Sequence, residues 1–148
     1  MRTKEFLNKL EHDRILRAIR EQEARSSGQI GVYLQRGELP GDPVTAAQAR
    51  FQKSGMHKTR HRNAVLIFVA PRARKFAVVG DEGIHTKCGR ELWQRVVQKM
   101  ESHFKQERFS DAIVDAIEDI GRVLAEQFPR TGGEKNELPD DVVEEGNG

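Results

Sequence analysis

Residues 63–85 read NAVLIFVAPRARKFAVVGDEGIH, and this stretch decides the fold of the chain. It contains two apolar runs, residues 65–70 and 76–79, which are rich in β-branched and aromatic side chains and are joined by a short basic turn. Uninterrupted runs of this kind are typical of strands that are covered on both faces. The stretch therefore predicts a β-hairpin in a sheet that has helices on both sides.

An acidic loop between two glycines follows the second strand at residues 80–83. We expect Asp81 and Glu82 at the carboxyl end of a central strand, where open α/β sheets place ligands. Their carboxylates predict a divalent-cation site for calcium or magnesium, with His85 near enough to join a softer metal. The alternative is that Asp81 caps the next helix and that Glu82 is solvated. The spacing lacks the order of an EF-hand loop, so both interpretations stay open.

Periodicities on either side of the hairpin complete the element order α, β, α, β, β, α, α. Residues 11–23 have helical spacing, and residues 30–35 alternate as a half-buried strand. Asp42 followed by Pro43 marks a helix start. Two apolar-striped helices fill the last third, with Ser110 as the natural cap of the second. The order predicts an α/β fold, a three-layer α/β/α sandwich around a small mixed sheet.

Composition indicates one small domain, which we place at residues 1–130 of the 148-residue chain. No run approaches the roughly 20 apolar residues that span a bilayer, and the first residues lack the pattern of a signal peptide. We therefore expect a cytoplasmic protein with no membrane segment, and a monomer. The single cysteine, Cys88, excludes an internal disulfide and a multi-cysteine zinc site.

Charge is unevenly distributed along the chain, although the net charge is only +2. Residues 43–80 contain no acidic side chain and form a basic stripe. Its lysines and arginines are Arg50, Lys53, Lys58, Arg60, Arg62, Arg72, Arg74 and Lys75. The stripe could bind phosphate or a protein partner, or the acidic, extended tail at residues 131–148 could neutralise it. Aromatic side chains that stack on bases are nearly absent from it, so we expect no nucleic-acid binding.

The polar connection before the hairpin, residues 54–63, carries a second set of candidate residues. We predict that His57, Lys58, Thr59 and Arg60 bind a phosphate or a partner, or meet the carboxylate loop. A solvated loop is the alternative. The chain has no HExxH, GxSxG or CxxC motif and no Walker A loop, so no catalytic nucleophile is identified.

Several motifs together resemble the TPM-domain family over nearly the whole chain. They are GMHKTRHRNAVLIFVA, FAVVGDEGIH, the tryptophan at position 93, RFSDAI and NELPD. The resemblance implies a sandwich with about four strands, one more than the periodicity shows. It also implies divalent-cation binding near the strand ends, with Asp81 as the first position to carry over. A phosphatase label comes with the family through its thylakoid-lumen relatives.

We expect a small cytoplasmic binding or accessory module that holds a divalent cation weakly at Asp81, with Glu82 next and His85 behind it. The first alternative is a metal-assisted phosphatase, in which a cation held by Asp81 activates water and His57, Lys58 or Arg60 orients a phosphate. The second is a protein-interaction module that uses the basic stripe through contacts that salt would screen.

Two further expectations concern the ends of the chain. Many members of the family have a signal peptide and a membrane anchor, neither of which this sequence shows, so we do not expect their envelope and photosystem-repair roles here. The NELPD segment at residues 136–140 is predicted to pack back over the sandwich, with Leu138 as its apolar anchor.

Overall fold

The computed structural model describes residues 9–129 and 142–145. The helices are α1 (Lys9–Glu23), α2 (Pro43–Lys53), α3 (Glu82–Lys105) and α4 (Phe109–Gln127). The strands are β1 (Gln29–Gln35), β2 (Ala64–Ala70), β3 (Lys75–Gly80) and β4 (Val142–Glu145). A short 3-10 turn, Met56–Lys58, lies between α2 and β2. The predicted element order is confirmed, with one strand added.

The four strands form one mixed sheet in the order β3, β2, β1, β4. β1 pairs in parallel with both β2 and β4, whereas β2 and β3 form the predicted antiparallel hairpin. The strand that the periodicity did not show therefore comes from the segment that we assigned to the acidic tail. The sheet therefore includes residues beyond position 130, where we placed the end of the domain. The NELPD segment with Leu138 lies outside the described residues.

Helices cover both faces of this sheet, which confirms the α/β/α sandwich. On one face, α1, α3 and α4 form a core with alternate residues of β1 and β2. On the other face, α2 and the 3-10 turn place Phe51 and Met56 in a second core with Tyr33 and Phe68. The rings of Tyr33 and Phe68 stack with their centroids 5.4 Å apart. No helix of the described part is long and apolar enough to cross a membrane.

The burial of two strands differs from the prediction. β1 was expected to be half-buried, but both its faces are covered, because the 3-10 turn brings Met56 against Gly31. β3 was expected to be covered on both faces, and its alternate side chains do pack against both cores, but as an edge strand it is only partly buried. A strand at the end of a hairpin pairs on one side only, so its apolar side chains close the edge of the core.

One helix cap was predicted correctly and one was not. Asp42 caps α2 by accepting hydrogen bonds from the backbone N–H of Thr45 at 3.1 Å and from its hydroxyl at 3.0 Å. These bonds lower the pKa of Asp42. Ser110 does not cap α4; the helix begins earlier, after Arg108, and Ser110 is buried in its first turn. The reason is that Phe109 packs edge-on against Phe104, with ring centroids 4.9 Å apart.

Candidate functional site

The acidic loop lies at the opposite end of the sheet from the one predicted. β3 runs antiparallel to β2, so that Gly80 pairs with Val65 near the start of β2. The carboxyl end of β3 therefore meets the amino ends of β1 and β2, whereas ligands of open α/β sheets bind at the carboxyl ends. The expected position at the end of a central strand is wrong because the hairpin reverses the chain and leaves β3 at the edge.

Asp81 is buried at the start of α3, with 5% of its surface exposed. Its Oδ1 caps the helix by accepting a hydrogen bond of 2.7 Å from the backbone N–H of Glu82. The guanidinium of Arg62 donates two more bonds, from Nε to Oδ2 and from Nη2 to Oδ1, both 2.8 Å long. Paired charge-assisted bonds of this kind are strong and directional. Asp81 thus caps the helix, as the alternative interpretation predicted, and also forms a bidentate ion pair.

Arg62 reaches Asp81 from a backbone conformation that side chains rarely adopt. Its φ is +51°, in the left-handed region. The backbone N–H of Arg62 donates to the carbonyl of Thr59 at 3.3 Å, and its carbonyl accepts from the N–H of Gly83 at 2.8 Å. The hydrogen bonds to Asp81 and the charge of that carboxylate raise the pKa of Arg62 above its usual value. The guanidinium is therefore held in place and charged.

Gly83 allows the 54–63 connection and α3 to approach each other. A Cβ at this position would lie 2.5 Å from the carbonyl oxygen of His61 and 2.7 Å from that of Arg62. These are backbone atoms, so they cannot move aside as the tip of a side chain can. The acidic loop carries a glycine here because the backbone passes directly over it. We call Arg62, Asp81, Glu82 and Gly83 the Asp81 corner.

Glu82 and His85, the other two predicted cation ligands, are both exposed and have different neighbours. The Oε2 of Glu82 lies 3.8 Å from the Nη1 of Arg62. His85 packs near Trp93, with ring centroids 5.9 Å apart, and lines a cavity of about 500 Å³ between α2 and β3. No group of three or more His, Cys, Asp and Glu side chains suited to a metal ion forms within the described residues. Cation binding by this trio stays a prediction.

Of the four residues predicted in the 54–63 connection, Thr59 contacts the Asp81 corner through its carbonyl, which accepts from the N–H of Arg62. Lys58 and Arg60 are exposed, and Thr59 is buried with 4% of its surface exposed. His57 is half-buried in the 3-10 turn. A phosphate or partner role for the four stays a prediction. The connection does meet the carboxylate loop, but through its later residues.

Sequence reasoning placed Arg62 only in the basic stripe and missed its partner. The signal was the register of the hairpin. With Val65 opposite Gly80, the residues just before β2 must lie beside those just after β3. Extending the two strands by a few residues brings Arg62 to Asp81.

The basic stripe is not one continuous charged surface, because several of its members hold the fold together. The guanidinium of Arg50 lies 4.2 Å from the ring centre of Tyr33 and donates to its hydroxyl at 3.0 Å. Lys75 donates to two backbone carbonyls of the loop before α2, both at 2.9 Å. Arg74 pairs with Glu107 at 3.1 Å. A partner that binds the basic stripe would find fewer available positive charges than the sequence suggests.

A cavity of about 710 Å³ opens beside the Asp81 corner. The 54–63 connection, the first turns of α3 and the end of α4 form its walls, and we call it the Lys87 cavity. Lys87 places its Nζ 4.9 Å from the ring centre of Phe128 and 3.4 Å from the carbonyl oxygen of Gln127. Arg62 and Glu82 belong to the wall as well, so that the ion pair and the cavity share residues.

Comparisons with known proteins agree with this architecture. The sequence pattern of the TPM domain matches residues 1–123. The NMR structure of the BA42 protein from the psychrophilic bacterium Bizionia argentinensis is 33% identical, with a TM-score of 0.88, over 97% of this chain and 99% of that one. None of the curated proteins matches the chain.

Two more distant structures share the fold alone. The N-terminal domain of the cg2496 protein from Corynebacterium glutamicum is 16% identical, with a TM-score of 0.64, over 94% of this chain and 81% of that one. The N-terminal domain of a protein from P. gingivalis is also 16% identical, with a TM-score of 0.60, over 83% of this chain and 79% of that one.

Proposed function

Because this chain belongs to the TPM-domain family, we propose that it is a small binding or accessory module that takes a divalent cation weakly at the Asp81 corner. The observation that carries the proposal is the position of Arg62. Its guanidinium forms a bidentate pair with Asp81 and lies 3.8 Å from Glu82, so one positive group serves two adjacent carboxylates. A divalent cation would supply positive charge to the same two side chains.

The donor set fits a cation that keeps most of its water. Magnesium is commonly held by one or two carboxylates and several waters, and calcium also prefers oxygen ligands. Asp81 and Glu82 supply such oxygens. His85 lines the cavity of about 500 Å³ together with Asp81 and packs near Trp93. We therefore propose the two carboxylates as the ligands, with His85 behind them.

Weak binding follows from competition with Arg62. Asp81 has one oxygen bonded to Arg62 and the other bonded to both Arg62 and the N–H of Glu82. A cation that coordinates Asp81 must replace at least part of the bidentate pair. The free energy of that exchange subtracts from the affinity, so we expect dissociation constants in the millimolar range.

The test is a titration of the backbone amide signals of the full chain with magnesium, calcium and zinc. We expect saturable shifts at residues 80–85 that weaken in Asp81→Asn and in Glu82→Gln. Asparagine keeps a helix-capping side chain, and Glu82 is exposed, so both variants should fold. Glu91→Gln, an exposed change farther along α3, is the matched control and should bind as the wild type does. Signals at residues 80–85 that do not move at millimolar cation would refute the proposal.

A metal-assisted phosphatase is the second candidate, and the Lys87 cavity beside the corner is the observation that favours it. A cation at the corner would supply an activated water. The chain itself would contribute Arg62 and Lys87 to hold the phosphate. Magnesium-dependent turnover of a phosphate ester that disappears in Asp81→Asn but persists in Glu91→Gln would support this candidate. A cytoplasmic location and a monomeric state remain predictions from the sequence.

A further inference from the structure

We infer that Arg62 couples two sites: when a divalent cation takes Asp81, the released guanidinium turns into the Lys87 cavity and binds an anion there. The anion is a carboxylate or a phosphate group on a small molecule. This inference rests on the proposed cation site and adds to it a second ligand and a link between the two.

Arg62 is placed to serve both sites. Its Nε and Nη2 are bonded to Asp81, while its Nη1 lies on the side of Glu82, and the residue forms part of the cavity wall. Its side chain is 45% exposed, whereas that of Asp81 is only 5% exposed. Exchange of the ion pair therefore moves the arginine and leaves the aspartate in place.

The left-handed backbone of Arg62 supports a functional role for this side chain. A residue with φ of +51° carries a strain that a glycine or an asparagine would reduce. A glycine at position 62 would also allow the close approach of Gly83 to the connection. The arginine is explained by the bidentate pair that its guanidinium forms with Asp81 at the corner.

The charges of the cavity depend on the state of the corner. Arg62 and Lys87 carry two positive charges, and Asp81 and Glu82 carry two negative charges, so the four side chains sum to zero. A divalent cation on the two carboxylates changes that sum to plus two. The cavity then has two cationic side chains without a carboxylate to balance them, which favours an anion.

The remaining wall suits an anionic group on a small molecule. Lys87 is in contact with the Phe128 ring and the Gln127 carbonyl, and it has no ion pair with a carboxylate of the described residues. Ser27 adds a hydroxyl group to the wall, whereas the hydroxyl of Thr86 donates to the carbonyl of Glu82. An arginine fork can grip a carboxylate or a phosphate with two bonds, while a lysine adds a point charge. A volume of about 710 Å³ lies within the range of small-molecule sites.

Coupling of this kind must be reciprocal. If the cation raises the affinity for the anion by some factor, the anion raises the affinity for the cation by the same factor. We expect a factor of about ten, within the usual range of such couplings.

The experiment measures the dissociation constants of acetate and of inorganic phosphate from the amide shifts of residues 61–62 and 86–87, at constant ionic strength, with and without saturating magnesium. In the wild type we expect magnesium to lower at least one of the two constants about tenfold. The acetate and phosphate arms show which oxyanion the cavity takes. Lys87→Gln should weaken anion binding and leave magnesium binding at residues 80–85 unchanged. Arg95→Gln, an exposed change elsewhere on α3, is the matched control for lost charge.

Arg62→Gln separates coupling from a merely structural role. Because the Arg62 guanidinium no longer competes for Asp81, this variant should bind magnesium more tightly. Magnesium should then no longer change the affinity for the anion. If magnesium binds the wild type but both anions bind equally well without it, the coupling is overturned and the cation site stands. If magnesium fails to shift residues 80–85, the proposed function and the coupling fall together. Unchanged magnesium affinity in Arg62→Gln would also overturn the coupling.

Discussion

The two halves of α3 are held by the rest of the protein in different ways. Gly89 interrupts the helix with φ of 69° and ψ of −174°. The first half, residues 82–88, borders cavities of about 710 and 500 Å³, and Ile84 is its one buried side chain. The second half sends four side chains into the core beneath the sheet. These are Leu92, Val96, Met100 and Phe104.

Each half is also fastened by a buried aspartate that pairs with a half-exposed cation. Asp119 of α4 is 3% exposed; its Oδ2 lies 3.0 Å from the Nζ of Lys99, and its Oδ1 accepts from Arg122 at 3.5 Å. That pair joins α3 to α4. In the other pair, Arg62 lines the Lys87 cavity and Asp81 lines the cavity between α2 and β3. The two pairs are alike in burial and charge, and they differ in that the pair of Asp81 and Arg62 lies between two cavities.

The largest effect on stability is expected from Gly83→Ala, which disrupts the close contact between the first half of α3 and the 54–63 connection. The added Cβ would lie 2.5 and 2.7 Å from two backbone oxygens, so the connection or the helix must shift. We expect a loss of about 3 kcal/mol in the free energy of unfolding, measured with urea. Gly31→Ala is the control, because its Cβ would meet the flexible end of Met56 at 3.0 Å. It should stay within about 1 kcal/mol of the wild type. Equal losses for the two variants would contradict the close approach.

A somewhat smaller effect is expected from Gly89→Ala at the joint between the halves. Among the described residues, no atom outside the neighbouring helix backbone lies within 4 Å of a Cβ there, so the loss comes from the backbone conformation alone. That conformation belongs to a region that is essentially restricted to glycine, and we expect a loss of about 2 kcal/mol in urea. A stabilised variant would mean that α3 can run straight through position 89, and the division into halves would then be wrong.

The layers of this fold could be predicted because apolar periodicity reports burial. The seven residues of β2 are all buried, as their composition indicates. The strand β4 could not be predicted, because two valines followed by two glutamates become a strand only when the free edge of β1 is available. The edge position of β3 was hidden for a similar reason. The residue types of β3 are those of a central strand, so only the pairing of the strands distinguishes an edge strand from a central one.

The candidate site was predicted in part. The acidic loop and its glycines stand out in the sequence, and so does the option that Asp81 caps a helix. The pair with Arg62 joins residues that are 19 positions apart, so it depends on the hairpin register and on the turn before β2. Adjacent carboxylates attract a metal ion and an arginine alike, and residue types alone do not distinguish these two partners.

The two ion pairs should respond differently to exchange of arginine and lysine. Arg62→Lys loses the two-bond geometry with Asp81, since an ammonium cannot reproduce the fork. Lys99→Arg keeps a cation beside Asp119, where the present contact is a single ion pair. We expect a lower melting temperature for Arg62→Lys and an unchanged one for Lys99→Arg, measured by circular dichroism. If Lys99→Arg has the larger effect, the two pairs are not distinguished by their geometry.

The smallest effect is expected at Cys88, which lies beside the joint and reports on movement of the first half. Burial raises the pKa of the Cys88 thiol, and the charge of Lys87 offsets this only in part. Because the folded state disfavours the thiolate, the contribution of Cys88 to stability is full below the ordinary pKa of 9.0 and is lost as the pH rises through the raised value.

At pH 8 we therefore expect iodoacetamide to alkylate the native protein several-fold more slowly than the urea-unfolded chain, because the thiolate is the reacting form. Gly89→Ala should reduce the difference between these two alkylation rates, because strain at position 89 loosens residues 82–88, which shield the thiol. Equal rates in the native and unfolded states of the wild type would show that the first half opens readily even without a ligand. In that case the ion pair of Asp81 and Arg62 would not hold the first half of α3 in place, whereas the ion pair of Asp119 and Lys99 holds the second half.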